Sequence, residues 1–354
     1  MTRPARVVFD SQAVRANLAV VRAHAPNRRV MAIIKADAYG HGLVRMARTL
    51  TGVDAFGVAS LEEAVRLREA NLHTPIVLLE GPFETAELPA ITALGLESVV
   101  HNHAQVQMFE ALAEPVPLWV KVDTGMHRLG FAPQEIPAVL EMLSKPTRAL
   151  RLLTHFANAH LREGDSVLAQ LDVLDHIPLT TALPRCCANS GAILAWPTTH
   201  AEWVRPGLML YGVSPFPDVT AHELGLRPAM TVTSALIATR RIPAGERVGY
   251  GQRFVCPETM PVGIVAFGYA DGYPRHASTG TPVLVRGIRT QIIGEVAMDM
   301  LAVDLRPLPD AQIGDPVVLW GEGLPVEEVA NAASTIPYEL LCRMRMRAHC
   351  VERP

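Results

Sequence analysis

The stretch VMAIIKADAYGHG, Val30 to Gly42, sets five consecutive apolar residues, Val30 to Ile34, directly before Lys35 and a glycine-bearing turn. A short apolar run bounded by turn residues reads as a buried strand. Lysine is seldom fully buried without a partner, and a desolvated lysine loses affinity for its proton. Lys35 is therefore either a side chain reaching out to water or a reactive amine fixed where a strand runs out. Outward from this stretch, further apolar runs alternate with longer amphipathic ones. They are AFGVA from Ala55, IVLL from Ile76, ESVV from Glu97, LWVKV from Leu118, LRLLTHF from Leu150, RCCA from Arg185 and EWVRPGLMLYG from Glu202. Between them, segments such as LEEAVRLREA and NHAQVQMFEALA repeat apolar residues at three- and four-residue spacing, the helical period. About eight βα units predict a closed (β/α)8 barrel, with a doubly wound open sheet as the alternative that the pattern alone leaves open.

Beyond LGLRPAM, residues 224–230, the texture changes. MTVTSALIATRRI, VGIVAFG, TPVLVRGIRTQIIGEV, LAVDL and DPVVLW cluster or alternate β-branched residues between Gly and Pro, with few helical stretches. A chain of 354 residues accommodates two domains. The expectation is a barrel over 10–225 and a mainly β domain over 226–354, joined by a strand from the first nine residues through RVVF at 6–9.

With 32 Lys and Arg against 35 Asp and Glu, scattered along the chain, there is no basic patch of the kind that binds nucleic acid. MTRPARVVFD has no apolar core of signal-peptide length and no later run reaches membrane-spanning length, so the protein is expected in the cytoplasm. Five cysteines, odd in number and without a CxxC pair, fit a reducing compartment rather than a disulfide framework.

In such a barrel, ligand and catalytic groups sit where strands run out into the βα loops. Lys35 closes the first strand and Lys121 the fifth, with Arg128 in the following loop KVDTGMHRLG; His155 ends the sixth, Asn189 and Ser190 follow the seventh, and Arg205 and Gly207 follow the eighth. Singly, each has an ordinary structural reading; together they deliver polar groups to one mouth. NSGA at a helix start offers amides and a hydroxyl, and the glycine of RPG admits close backbone approach, which together suit a phosphate. A phosphate-bearing cofactor and one strand-end lysine point to pyridoxal 5'-phosphate held as a Schiff base. No nucleotide-binding glycine motif is present. His101 and His103 have metal-like spacing but no third ligand stands out, so no metal is expected. In the second domain, FGYADGYPRHA (267–277) breaks a strand into a tyrosine-bearing turn, and GEVAMDM (294–300) ends another in a Met and an Asp.

With these motifs in order, KADAYGHG, KVDTGMHRLGF, THFANA, NSGA, WVRPGLMLYG, GERVGYG, GYADGYPRHA, AMDMLAVDL and YELLC, the chain resembles bacterial alanine racemases over nearly its whole length, most closely the catabolic type. The resemblance implies a pyridoxal-phosphate isomerase serving D-alanine supply for peptidoglycan or alanine catabolism. It also implies a homodimer whose active sites draw on both chains. It makes Lys35 the cofactor-linked base on one face of the substrate Cα and Tyr269, from the partner subunit, the base on the other. Arg205 would bond the pyridine nitrogen; His155 would lie by the ring and bond Arg205; Tyr39, Ser190 with Asn189, Gly207, Leu208 and Tyr338 would surround the phosphate. Arg128 and the Met298 amide would hold the substrate carboxylate, and Lys121 matches a lysine that family members can carbamylate. Two positions depart from the commonest pattern: Asp37 stands where Asn is frequent, and Glu295 where some relatives carry Arg near the entrance.

Racemisation needs bases on both faces of Cα. An arginine at the pyridine nitrogen suits it, because a group with pKa above about 12 donates a hydrogen bond without surrendering its proton. A broader amino-acid racemase acting on serine, a decarboxylase on the same architecture and a non-enzymatic pyridoxal-phosphate-binding protein are the competing readings. The decarboxylases place a carboxylate where WVRPG places an arginine, and the binding proteins lack a second domain.

Overall fold

The computed structural model describes residues 3–146, 148–178, 182–344 and 347–353. After β1 (Arg6–Asp10) and helix α1 (Ser11–His24), capped by the Asp10 carboxylate on the Ala13 amide at 2.8 Å, the chain enters the barrel. Its strands are β2 (Arg29–Ile33), β3 (Ala55–Val58), β4 (Ile76–Leu78), β5 (Glu97–Val100), β6 (Leu118–Lys121), β7 (Leu150–Leu153), β8 (Arg185–Cys186) and β9 (Trp203–Val204). They pair in parallel, each with the next, and β9 returns to β2 through Val30 opposite Val204. Closure decides for the barrel against the open sheet. Every residue of β3, β4 and β6 is buried, as parallel strands covered on both faces must be, which is why they read as continuous apolar runs.

The amino-terminal end of the barrel is plugged. Trp119 and Trp203 meet edge to face at 5.3 Å, and the Arg151 guanidinium lies over both rings at 5.1 and 5.7 Å. Glu97 satisfies this stack, accepting from Arg151 at 2.9 Å and from the Trp119 indole at 2.7 Å. Charge at this end is therefore matched by a carboxylate, and its role is stability.

The second domain is built on β10 (Met230–Ile242), a 13-residue strand with a bulge between Leu236 and Ala238. The bulge lets its first half pair with β1 and with β17 (Pro316–Trp320), and its second half with β13 (Met260–Val265). A short ribbon, β11 (Arg247–Val248) with β12 (Phe254–Val255), and strands β14 (Pro282–Val285), β15 (Ile288–Ile293) and β16 (Leu301–Asp304) complete it, with β18 (His349–Arg353) parallel to β1 at the edge. Among the described residues, no helix is long and apolar enough to cross a membrane.

Candidate active site

Where β2 ends, the backbone does something a right-handed chain avoids. Ala36, Asp37, Ala38 and Tyr39 all take positive φ, between 50 and 55°, and Gly40 follows at 75°. Left-handed conformation costs a non-glycine residue about 1–2 kcal/mol, so this turn survives only because its surroundings over-determine it. Glu63 accepts the Ala36 amide at 2.7 Å, and His41 Nδ1 lies 3.1 and 2.9 Å from the Ala38 and Tyr39 carbonyls. Burial lowers the His41 pKa to about 4, so the ring is neutral and Nδ1 donates to those carbonyls. Asp37 accepts from the Leu43 amide at 3.1 Å and from Arg66 at 3.0 Å, a partner that a carboxylate serves better than an amide.

The turn aims two groups. Lys35, half-buried, stands two residues past the last ladder residue of β2, at the carboxyl-terminal mouth. Tyr39 folds back, stacks on Tyr211 at 4.6 Å and reaches Gly207, where a Cβ would lie 3.0 Å from the Tyr39 hydroxyl. Tyr211 in turn donates to the Ile33 carbonyl at 2.8 Å, tying the ring pair to the strand that carries Lys35. Helix α2 (Leu43–Thr49) then leads back along the barrel.

Four other strands contribute to the same mouth. Lys121 is the last residue of β6, His155 lies two past β7, Asn189 three past β8, and Arg205 directly follows β9. Arg205 is 5% exposed; it donates to the Thr154 carbonyl at 2.7 Å, the Cys186 carbonyl at 3.0 Å and His155 Nδ1 at 3.1 Å. Since a guanidinium cannot accept, His155 Nδ1 is the acceptor and its ring proton sits on Nε2. Burial first, then Arg205, Arg128, Lys121 and Lys35, hold the His155 pKa well below its usual value, so the ring stays neutral. Lys121 is lowered to about 8 by burial and by Arg205, Arg128 and Lys35. Arg128 itself rides on a loop set by Asp123, whose Oδ1 accepts the Gly125 and His127 amides at 3.0 and 2.9 Å.

Among the described residues no ion pair engages Lys35, Lys121, Arg128 or Arg205. The contrast with Arg151 and Glu97 at the other end is direct: one arginine is neutralised in an ion pair, while the four cations at the mouth outnumber the one carboxylate, Glu80, that acts on Lys121 from a distance. Such a mouth favours an anionic ligand.

Beside the cations lie groups suited to a phosphate. Ser190 is 5% exposed and its Oγ accepts from the Gly207 and Met209 amides at 3.0 and 3.3 Å, leaving its own proton free to donate. Asn189 caps the short helix Ser190–Ala195 through the Ala192 amide at 3.1 Å, and Leu208 is buried next to Gly207. Tyr338, on the helix Pro337–Cys342, approaches the Tyr39 ring at 5.7 Å. Burial raises both phenol pKa values, that of Tyr338 to about 12, so both hydroxyls stay protonated. Three protonated hydroxyls and a cluster of cations held in no ion pair fit a phosphate monoester carrying an aldehyde that Lys35 can engage.

Tyr269 and Met298 are not part of this gathering within one chain. They lie together on the β domain, 38% and 53% exposed, and among the described residues no hydrogen bond joins Tyr269 to the barrel. Glu295 draws in two arginines, Arg253 at 3.0 Å and Arg275, between the loops on either side of it. His101 bonds the Glu80 carbonyl at 3.0 Å and His103 bonds Glu135 at 3.0 Å, so each ring has its own protein partner.

Sequence reading missed Gln170, Thr124 and Thr154. Gln170, 4% exposed, donates to Thr124 Oγ1 and the His155 carbonyl at 3.0 and 3.1 Å, and Thr124 bonds Thr154 at 2.8 Å. This set locks the ends of β6 and β7, but a glutamine among the polar residues of SVLAQLDVLD looks like one more solvent-facing residue.

Residues 9–215 match the alanine racemase N-terminal domain and residues 229–352 the alanine racemase C-terminal domain. An alanine racemase of Nitrosomonas europaea is 51% identical, the alignment covering 99% of each chain. A biosynthetic alanine racemase of Escherichia coli O6:H1 is 47% identical over 97% of each. Among solved structures, the biosynthetic alanine racemase of Pseudomonas aeruginosa superposes with TM-score 0.97 at 43% identity, covering 100% of both chains. That of Bartonella henselae, with covalently bound pyridoxal phosphate, superposes with TM-score 0.87 at 29% identity, covering 99% of both.

Proposed function

The chain belongs to the alanine racemase family, and from that premise we propose that Lys35 and the Tyr269 of a partner subunit are the two bases that exchange the Cα proton of alanine. The protein is an alanine racemase, an isomerase that interconverts L- and D-alanine, and the family depends on pyridoxal phosphate. The observation that carries the site reading is the group of four cations, none held in an ion pair, with Lys35 among them, beside the protonated hydroxyls of Tyr39, Ser190 and Tyr338. That chemistry fits pyridoxal 5'-phosphate as the cofactor of this chain.

When bound, the cofactor supplies an electron-accepting ring that makes the Cα–H bond acidic. The rest falls to the protein. Lys35 takes or returns the proton on one face of Cα, fixed there by β2 and by the left-handed turn that follows it. Tyr269 does the same on the other face, which requires it to approach from a second subunit. Arg205 would donate to the ring nitrogen while keeping its proton, and His155 accepts from Arg205 and so fixes its plane. Arg128 and the Met298 amide would hold the carboxylate; the hydroxyls of Tyr39, Ser190 and Tyr338, with Asn189 and the backbone of Gly207 and Leu208, would hold the phosphate. Lys121 is poised for carbamylation: a pKa near 8 leaves a fraction of neutral amine at physiological pH, and a carbamate there would neutralise Arg128. Exposed Tyr269, Met298 and Met300, the last 42% exposed, supply apolar surface for a homodimer contact. The working units are a barrel over 10–225 and a β domain over 226–354 joined by the first strand, and five free cysteines favour the cytoplasm.

The test is L-alanine in deuterated buffer with the purified holoenzyme, followed by NMR and chiral chromatography. D-alanine carrying deuterium at Cα is expected, together with a borohydride-reducible link at Lys35. Lys35→Ala protein that kept such a link would overturn the lysine assignment.

A further inference from the structure

Tyr269 and Met298 sit on two segments of the β domain that are bonded to each other. The Tyr269 amide donates to the Ala297 carbonyl at 3.1 Å and the Ala270 amide to the Met298 carbonyl at 3.0 Å. A Cβ on Gly268 would collide with the carbonyl oxygens of both Ala297 and Met298, so glycine is what permits this approach. Between the segments lies Asp271, fully buried and used by no step described above. Its Oδ2 accepts the Gly268 amide at 2.9 Å, which closes the turn on which Tyr269 stands.

The partner of this carboxylate comes from the far end of the sequence. Arg3 holds Asp271 with both terminal nitrogens, Nη1 to Oδ1 and Nη2 to Oδ2 at 2.8 Å, and Nη2 also donates to the Asp299 carbonyl at 2.9 Å. One guanidinium therefore touches both segments. Arg347 adds a second cation, its Nε 3.6 Å from Asp271 Oδ1 and its Nη2 on the Asp299 carboxylate. Burying a carboxylate is costly even when it is paired, and a well-packed apolar residue in its place is often as stabilising. What a bidentate fork adds is direction, because two parallel bonds fix a plane where packing fixes only a volume.

We propose that Arg3 and Asp271 are positioning residues, and that the amino-terminal arm sets the orientation of the Tyr269 phenol and the Met298 amide. The inference rests on the reading of Tyr269 as one of the two bases. Each enantiomer of alanine presents its Cα–H to one base, so weakening one base slows proton wash-out from one enantiomer more than from the other, whereas general loosening slows both alike.

The experiment measures Cα–H wash-out into deuterated buffer, separately for L- and D-alanine, in wild type, Tyr269→Phe, Arg3→Ala and Arg3→Lys holoenzymes. Tyr269→Phe is expected to skew the ratio of the two rates. Arg3→Ala should skew it the same way by about tenfold to a hundredfold, the cost of displacing a catalytic group by roughly 1 Å. Arg3→Lys should recover part of the loss. In the cofactor-free protein, amide hydrogen exchange in Arg3→Ala should rise at residues 268–271 and 297–299 and stay unchanged in the barrel strands. Asp271→Asn repeats the kinetic test with the fork reduced to a single acceptor. If Tyr269→Phe skews the ratio and Arg3→Ala leaves it unskewed, Arg3 is structural and the anchor is overturned. If Tyr269→Phe itself leaves the ratio unskewed, it is the reading of Tyr269 that fails, and the anchor falls with it.

Discussion

A lysine ammonium drawn out of water beside Arg205, Arg128 and Lys35 gives up its proton early, and Lys121 falls to about 8 from the ordinary lysine value of 10.5. The consequence for stability has a definite sign. Below pH 8 folded and unfolded chains both carry the proton, and the fold bears the full cost of the buried charge. Between 8 and 10.5 the unfolded chain holds the proton and the folded chain does not, so stability rises with pH by no more than about 1.4 kcal/mol per unit. Lys121→Met has no such group. In bicarbonate-free buffer the variant should be the more stable protein at pH 7.5, and its advantage should shrink as pH rises towards 10, read by denaturant unfolding of the cofactor-free forms. A constant gap would remove Lys121 from this cluster. Lys35, Lys121 and Arg205 were legible because a cation at the end of an apolar run is conspicuous. Gln170, Glu63 and Asp271 were not, because a single polar residue on an amphipathic helix or in a turn carries no signal of its own and is singled out only by what the fold packs against it.

At the scale of the element, the turn Ala36–Gly40 shows where sequence reading stops. KADAYGHG was readable as a loop carrying a lysine and a tyrosine, yet nothing in Ala-Asp-Ala-Tyr announces four left-handed residues, since local preference runs the other way. Tertiary partners override it: Glu63 from helix α3 (Leu61–Glu69), the neutral His41 ring and the helix Pro337–Cys342. The last of these gives a test. A Cβ at Gly40 would overlap the Leu341 carbonyl, so Gly40→Ala adds a collision to the strain of φ 75°. It should destabilise by more than about 1 kcal/mol and, by shifting Tyr39 against Tyr338, weaken pyridoxal-phosphate retention during dialysis. Gly95, at φ 58° with nothing within 4 Å of its Cβ position, is the control. Gly95→Ala carries the strain alone and should leave cofactor retention unchanged. If both variants hold the cofactor like wild type, packing of the carboxyl-terminal helix on the turn does not serve the site.

At the scale of the whole molecule, the two proposed bases stand on different domains, Lys35 on the barrel and Tyr269 on the β domain. Period and punctuation made the barrel and the β domain legible, because alternating buried strands and helices leave a repeat that composition alone cannot hide. Where Tyr269 acts was not legible in that way, since the composite site proposed for it would be formed by contacts between chains. The structure puts Lys35 at the barrel mouth and Tyr269 on an exposed face of the β domain, with the Arg3 fork beneath it. If each site takes Lys35 from one subunit and Tyr269 from its partner, an isologous two-fold dimer makes two identical composite sites. A Lys35→Ala chain paired with a Tyr269→Phe chain then builds one site with both lesions and one with neither. Random pairing of equal amounts makes about half the dimers mixed, each with one intact site, so roughly a quarter of wild-type activity should return. Each variant alone should stay nearly inactive. Residues drawn from the same chain would leave a lesion in every site, and mixing would restore nothing. The measurement is alanine racemisation after co-expression with two different affinity tags, on dimers purified through both. Doubly tagged dimers should run at about half the wild-type rate; dimers no faster than the single variants would refute the composite site and the role of Tyr269 as the opposite-face base.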